Sequence, residues 1–194
     1  MAIVKPLVYL IVGSTRVGRV GPTIATWVKD TAESITSAID FKILDLMDFD
    51  LPLHSIEPHI PITGKYTQPE TIRWSNTIKN AQGYIFITPI YNGSFPGVLK
   101  LYIDYLKKEW AGKPTGIVSY SHKGGSRAAT ALASVMQGSL QAKVIDPPVL
   151  MMFEDAVDKD NMATEIEGFS TRQKELLKLI GTMCKHFEIE PSTK

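Results

Sequence analysis

The stretch Leu7-Val8-Tyr9-Leu10-Ile11-Val12-Gly13-Ser14-Thr15-Arg16-Val17-Gly18-Arg19-Val20-Gly21-Pro22 decides the fold. Its first six residues form a short apolar run that stops at Gly13, the pattern of a buried strand. From Gly21-Pro22 the period changes. Ile24, Trp27, Val28, Thr31, Ala32 and Ile35 recur three and four residues apart, which gives one apolar helical face. Pro22 suits the first helical turn, where its missing N–H costs nothing.

The same alternation repeats along the chain. Phe41–Leu46, Tyr84–Thr88 and Thr115–Tyr120 read as further strands, and Lys143–Ile145 with Val149–Phe153 as a fifth, interrupted by Pro147-Pro148. Helical spacing is expected around Thr71–Asn80, from Pro96 through Leu106, over Ser126–Gln137 and from about Glu165 to His186. Residues 48–71 hold Pro52, Pro58, Pro61 and Pro69 with Gly64, and read as one long loop of the kind that is usually functional. Strands alternating with helices require right-handed crossovers and a sheet covered on both faces. The expectation is an α/β, flavodoxin-like three-layer sandwich, a single domain over 1–194, with a five-stranded parallel sheet in the order 2-1-3-4-5. Ligands of such sheets bind beyond the carboxyl ends of the strands, where strands 1 and 3 diverge.

Composition narrows the function classes. The chain has 194 residues, 44% of them apolar, enough for a sizeable core. Lys and Arg total 21 against 20 Asp and Glu, a net +1, so there is no basic excess to neutralise a row of phosphates and no nucleic-acid partner is expected. The lone Cys184 cannot form an internal disulfide, which fits a reducing compartment, and a cytoplasmic location is expected. The apolar run at Leu7–Gly13 is too short for a membrane span. Asp45, Asp48 and Asp50 read as a solvated turn rather than a metal site, and His54 and His59 lack zinc-like spacing, so no metal is expected.

Three loops carry the unusual residues. Gly13–Gly21 offers glycines, hydroxyls, Arg16 and Arg19 ahead of a helix N-terminus, a setting that favours a phosphate monoester. It also suits a tight turn with two solvated arginines. Its glycines at 13, 18 and 21 do not fit G-x-G-x-x-G, and no Gly-Lys-Ser/Thr follows. Thr88–Gly97 is stiffened by Pro89 and Pro96, and its glycines and Asn92 suit the polar edge of a flat heterocycle or, equally, a turn-rich connection. Tyr120–Ser126 contains Gly124-Gly125, which permit close approach, and His122, either a proton donor to substrate or a solvated loop residue.

Taken together, Gly13-Ser14-x-Arg16, Pro89-x-Tyr91-Asn92-x-Ser94-x-Pro96-Gly97-x-Leu99-Lys100 with Asp104, and Tyr120 with Gly124-Gly125 resemble the NADPH-dependent FMN reductases of flavodoxin-like fold. In particular, they resemble the fungal FMN-dependent quinone reductase or azoreductase branch of that family. Tyr66, Trp74-Ser75 and Glu109-Trp110-x-Gly112-Lys113-Pro114 add to it, and the match runs over roughly residues 7–150. Departures are Leu101, where the family usually has Asn, Ser121-His122 after Tyr120, and the absence of an acidic pair near Glu57-Pro58.

The resemblance implies bound FMN, with NADPH or NADH as co-substrate and a quinone-like small molecule as acceptor. Two-electron, ping-pong turnover would use one open ring face twice. Ser14, Arg16, Arg19, Val20 and Gly21 would hold the phosphate. Pro89, Ile90, Tyr91, Asn92 and Gly93 would hold the ring edge and its ribityl side, and Ser121, His122, Gly124 and Gly125 would lie along the other side. No side chain is needed as a nucleophile, and His122 is the one candidate for a catalytic role. The resemblance also implies a homodimer, or a tetramer of such dimers. The rival is a flavodoxin-like electron carrier, or an FMN-dependent binding or regulatory module without turnover. The near-neutral charge and the Gly-Ser-Thr-Arg loop count against a carrier.

Overall fold

The computed structural model describes residues 5–153 and 172–190. β1 (Leu7–Val12) lies between β2 (Asp40–Asp45) and β3 (Gly83–Pro89), and β4 (Pro114–Ser121) follows β3. The fifth position is shared. β5 (Lys143–Val144) pairs with the start of β4 at Pro114 and Thr115, and β6 (Val149–Met152) pairs with its end over Val118–Ser121. All pairs are parallel, in the order β2-β1-β3-β4-β5, as the sequence implies. All seven residues of β3 are buried, as a central strand covered on both faces requires.

Alternation along each strand separates two apolar layers. On one face α1 (Gly21–Ile35) sets Ile24, Trp27 and Val28 against Val8, Leu10 and Val12, beside α5 (Gln173–His186) with Leu176, Leu179, Ile180 and Met183. The expected start of this last helix near Glu165 lies outside the described residues. On the other face α2 (Pro69–Asn80), α3 (Gly97–Asp104) and α4 (Ser126–Gln137) cover Ile11, Phe86 and Ile117. Trp74 is 1% exposed and meets Phe49, Tyr102 and Trp110 edge-on at centroid distances of 4.9, 5.3 and 6.3 Å. Cys184 is buried, and among the described residues no helix is long and apolar enough to cross a membrane.

The long loop is more ordered than its prolines suggest. A 3-10 turn at Leu46–Asp48 leads into it, another at Pro61–Thr63 lies within it, and α2 begins at Pro69, two residues before the expected helix start. Tyr102 donates its hydroxyl to the Phe49 carbonyl and Tyr105 donates to Pro52 at 2.5 Å, which pins the loop to α3 and its C-terminal cap. Glu57 accepts from the Thr67 amide (2.7 Å) and the Gln68 amide (2.9 Å). It therefore caps α2 from outside, since the N-cap residue Gln68 makes no side-chain cap of its own. Its modest burial raises the Glu57 pKa, but the bonds from Gln68 and Thr67 outweigh that and hold it below the usual value.

At the far end of α2, Lys113 donates to the carbonyls of Ile78 (3.1 Å) and Lys79 (3.2 Å) and to the Tyr84 hydroxyl (2.9 Å). Burial lowers its pKa from 10.5 to about 8, against the pull of Glu109. Between those two values the unfolded chain holds a proton that the folded chain has released, so this group's contribution to stability rises with pH. In urea unfolding, wild type should therefore gain on Lys113→Met as the pH is raised from about 7 to about 10. A pH-independent difference between the two proteins would show that Lys113 does not titrate in this way.

Candidate functional site

The loops after β1, β3 and β4 meet at the carboxyl rim of the sheet, and particular bonds tie each to the next. Ser14, 1% exposed, pairs its hydroxyl with that of Tyr91 at 2.6 Å. The Arg16 guanidinium lies 3.8 Å over the Tyr91 ring, a cation–π contact that holds it across the gap between the first two loops. The Ile90 amide donates to the Tyr120 carbonyl at 3.2 Å and joins the second loop to the third.

Arg19 fixes the first loop from below. It grips Asp45 at the end of β2 through both terminal nitrogens, at 2.6 and 2.5 Å, and donates to the Ser14 carbonyl at 2.7 Å. The bond from Asp45 raises the Arg19 pKa above its already high usual value, against the cost of burial. Asp45 is therefore not part of a solvated acidic turn: its side chain is 19% exposed and engaged. A bidentate Arg–carboxylate pair in this setting keeps the loop in one shape.

The second loop turns at Asn92-Gly93, both with positive φ (50° and 88°), and Tyr91 and Ser94 exchange backbone bonds of 2.7 and 3.1 Å across the turn. In the third loop Ser121 donates its hydroxyl to the Gly124 carbonyl at 2.6 Å and receives the Lys123 amide at 3.2 Å. The His122 ring sits 4.7 Å from that of Phe153, just past β6.

Between these loops lie two adjoining pockets with shared lining residues, an inner and an outer lobe. The inner lobe, about 330 Å³, is lined by Ser14, Arg16, Arg19, Val20, Pro89, Ile90, Tyr91, Ser121 and His122, all expected from the sequence. Val17, Gly18, Tyr120 and Phe153 also line it. The outer lobe, about 500 Å³, shares Ile90, Ser121 and His122 with the inner one and adds Gly93, Lys123, Gly124, Ser126 and Arg127. Three expected residues line neither lobe. Gly21 packs beneath the first loop, where a Cβ would lie 2.9 Å from Val12 and 3.3 Å from the Tyr120 hydroxyl. Gly125 is pressed onto β4 at Ser119, and Asn92 is exposed at the tip of its turn. The signal for Tyr120 and Phe153 was their place at the carboxyl ends of adjacent strands, which a strand-by-strand reading counts as core.

The donor set of the inner lobe fits a phosphate monoester on a flat heterocycle. Among the described residues the amides of Thr15, Val17 and Gly18 donate to nothing. The Tyr120 hydroxyl also has no hydrogen-bond partner among the described residues, although the residue is only 3% exposed. Burial raises its pKa, so it stays a neutral donor. The amides lie in an exposed loop and the hydroxyl borders the cavity, so these donors are open to an anion at this position. No acidic residue lines either lobe. Among the described residues no group of three or more His, Cys, Asp or Glu converges as a metal site would need.

Comparison with known proteins agrees with this geometry. A family model described as NADPH-dependent FMN reductase matches residues 6–156. A Schizosaccharomyces pombe protein named NAD(P)H-dependent FMN reductase is 38% identical over 194 residues, covering 98% of this chain and 95% of that one. A quinone reductase of Pseudomonas putida is 34% identical over 120 residues, 59% of each chain. Among solved structures, the flavoenzyme NAD(P)H:(acceptor) oxidoreductase FerB of Paracoccus denitrificans superposes with a TM-score of 0.68. The alignment covers 94% of this chain and 99% of that one at 20% identity, a likeness of fold.

Proposed function

The chain belongs to the NADPH-dependent FMN reductase family and is an FMN-dependent NAD(P)H oxidoreductase, and on that premise we propose how its residues serve the reaction and what it reduces. The acceptor is a quinone, reduced by two electrons in a ping-pong cycle. Bound FMN would supply the two-electron redox chemistry between the nicotinamide and the acceptor. The observation that carries this reading is the convergence of three loops on one cavity with unpaired donors and a free guanidinium at its inner end.

Ser14, the Arg16 guanidinium, the amides of Thr15, Val17 and Gly18 and the Tyr120 hydroxyl hold the phosphate. Arg19 acts mainly as a positioning residue, because Asp45 and the Ser14 carbonyl already engage it. The Pro89–Gly93 loop, stiffened by proline and by its Asn92-Gly93 turn, borders the ring edge, and Ser121, His122 and Gly124 border the opposite side. Rigid borders on two sides leave one face for the nicotinamide and the acceptor to use in turn. His122, braced by Phe153, is the side chain placed to donate a hydrogen bond beside the ring.

The protein is a single flavin-binding domain that works in the cytoplasm as a homodimer. The long loop supports the dimer: Leu53, Ile56 and Ile60 on it are 75, 67 and 68% exposed, and a second copy packed along α3 and α4 would cover them. The test is direct. Protein loaded with FMN should show flavin absorbance that bleaches on adding NADPH and returns with a quinone. Flavin that binds and bleaches with neither NADPH nor NADH would overturn the oxidoreductase reading in favour of a carrier or binding module.

A further inference from the structure

We propose that the outer lobe of the cavity is the subsite for a phosphate group of the nicotinamide dinucleotide, held by Lys123 and Arg127. The proposal rests on the reading above, in which FMN fills the inner lobe. A dinucleotide is much longer than the ring that stacks on the flavin, so its charged portion must lie in space continuous with the stacking face. The outer lobe adjoins the inner one, since Ile90, Ser121 and His122 line both.

The charges there are unpaired among the described residues. Lys29, Lys42 and Lys100 pair with Glu33, Asp40 and Asp104, and Arg19 pairs with Asp45. Lys123 donates only its backbone amide, and Arg127 makes no ion pair or hydrogen bond among the described residues. Arg127 reaches from the start of α4 toward the second loop: a Cβ at Gly93 would lie 3.9 Å from its Nη1. With no carboxylate lining the lobe, the two cations present an uncompensated field to an incoming anion. An ammonium and a guanidinium together suit a phosphate, one as a point charge and the other as a planar fork.

Two phosphate groups of the cofactor could supply this chemistry: the ribose 2′-phosphate, carried by NADPH alone, and the pyrophosphate, common to NADPH and NADH. FMN-loaded wild type and a Lys123→Ala/Arg127→Ala double variant should be titrated calorimetrically with adenosine 2′,5′-bisphosphate and with ADP, and assayed with both nicotinamides. The double variant should bind the affected probe about tenfold or more weakly, the loss expected for charge-assisted bonds. Added salt should erode wild-type binding more than that of the variant. Loss confined to the bisphosphate, with a fall in the ratio of kcat/KM for NADPH to that for NADH, assigns the 2′-phosphate. Equal loss for both probes and both nicotinamides assigns the pyrophosphate. A variant that holds FMN and binds both probes as wild type does would overturn the proposal. Failure of wild type to hold FMN would instead overturn the reading on which it rests.

Discussion

Arg16→Glu should weaken FMN binding by about 100-fold or more. The wild-type guanidinium lies over the Tyr91 ring, makes no ion pair, and lines the inner lobe beside Val17 and Gly18, whose amides have no partners among the described residues. Losing one charge-assisted bond to phosphate costs about 1.5–3 kcal/mol. Placing a carboxylate beside the phosphate adds roughly 1 kcal/mol of repulsion in a wet site. The sum, about 3 kcal/mol, corresponds to a factor of about 100. Arg16 is exposed, so the fold should be undisturbed, with stability within about 0.5 kcal/mol of wild type. Tyr120→Phe, which removes one neutral donor, should weaken binding about tenfold or less. Flavin fluorescence quenching measures both constants, and an unchanged FMN affinity in Arg16→Glu would remove this arginine from the phosphate site.

Gly125→Val should be the most damaging single change to the fold at the site. A Cβ at this position would lie 2.2 Å from both the carbonyl carbon and the oxygen of Ser119. Those atoms belong to β4, which is paired with β3 on one side and β6 on the other, so they cannot retreat as a flexible side chain would. The third loop and the start of α4 must lift from the sheet, at a cost of about 3 kcal/mol or more. For a chain of this length that corresponds to a fall in Tm of roughly 6–12 °C. The displaced loop also carries Ser121 and His122 out of the cavity wall, so flavin affinity should fall with stability. Gly18→Ala is the contrast. Its φ of +70° makes a side chain strained, but nothing lies within 4 Å of the new Cβ, and the cost should be about 1–2 kcal/mol. Thermal unfolding separates the two, and a Gly125→Val protein melting within about 2 °C of wild type would contradict the close packing described.

What the sequence made legible was local or periodic. The buried runs of β1, β3 and β4, the change of period at Gly21-Pro22, and the prolines that break the fifth strand each follow from a few consecutive residues, and the strand order follows from their alternation with helices. The loops of the site were legible for the same reason, because glycine, proline and arginine are unusual next to buried strands. Pairings across long separations were not legible. Arg19 and Asp45 stand 26 residues apart, and Ser14 and Tyr91 stand 77 apart. No local pattern distinguishes an Asp that grips an arginine from one that is solvated, so sequence alone does not separate Asp45 from Asp48 and Asp50. The long loop misled in the other direction. Its prolines suggested irregular chain, whereas the hydroxyls of Tyr102 and Tyr105 hold it by the carbonyls of Phe49 and Pro52. The resemblance sets Gly125 beside the ring, whereas in the structure it packs against Ser119, where backbone crowding alone requires glycine.

The measurement that bears most directly on all of this is a parallel titration of the flavin-free protein with FMN and with riboflavin, which lacks the phosphate. If the amides of the first loop, Arg16 and Tyr120 form a phosphate grip, FMN should bind about 100-fold tighter or more, and salt should narrow the gap. Equal affinity for the two flavins, at low salt as at high, would mean that the rim of the sheet does not hold the phosphate.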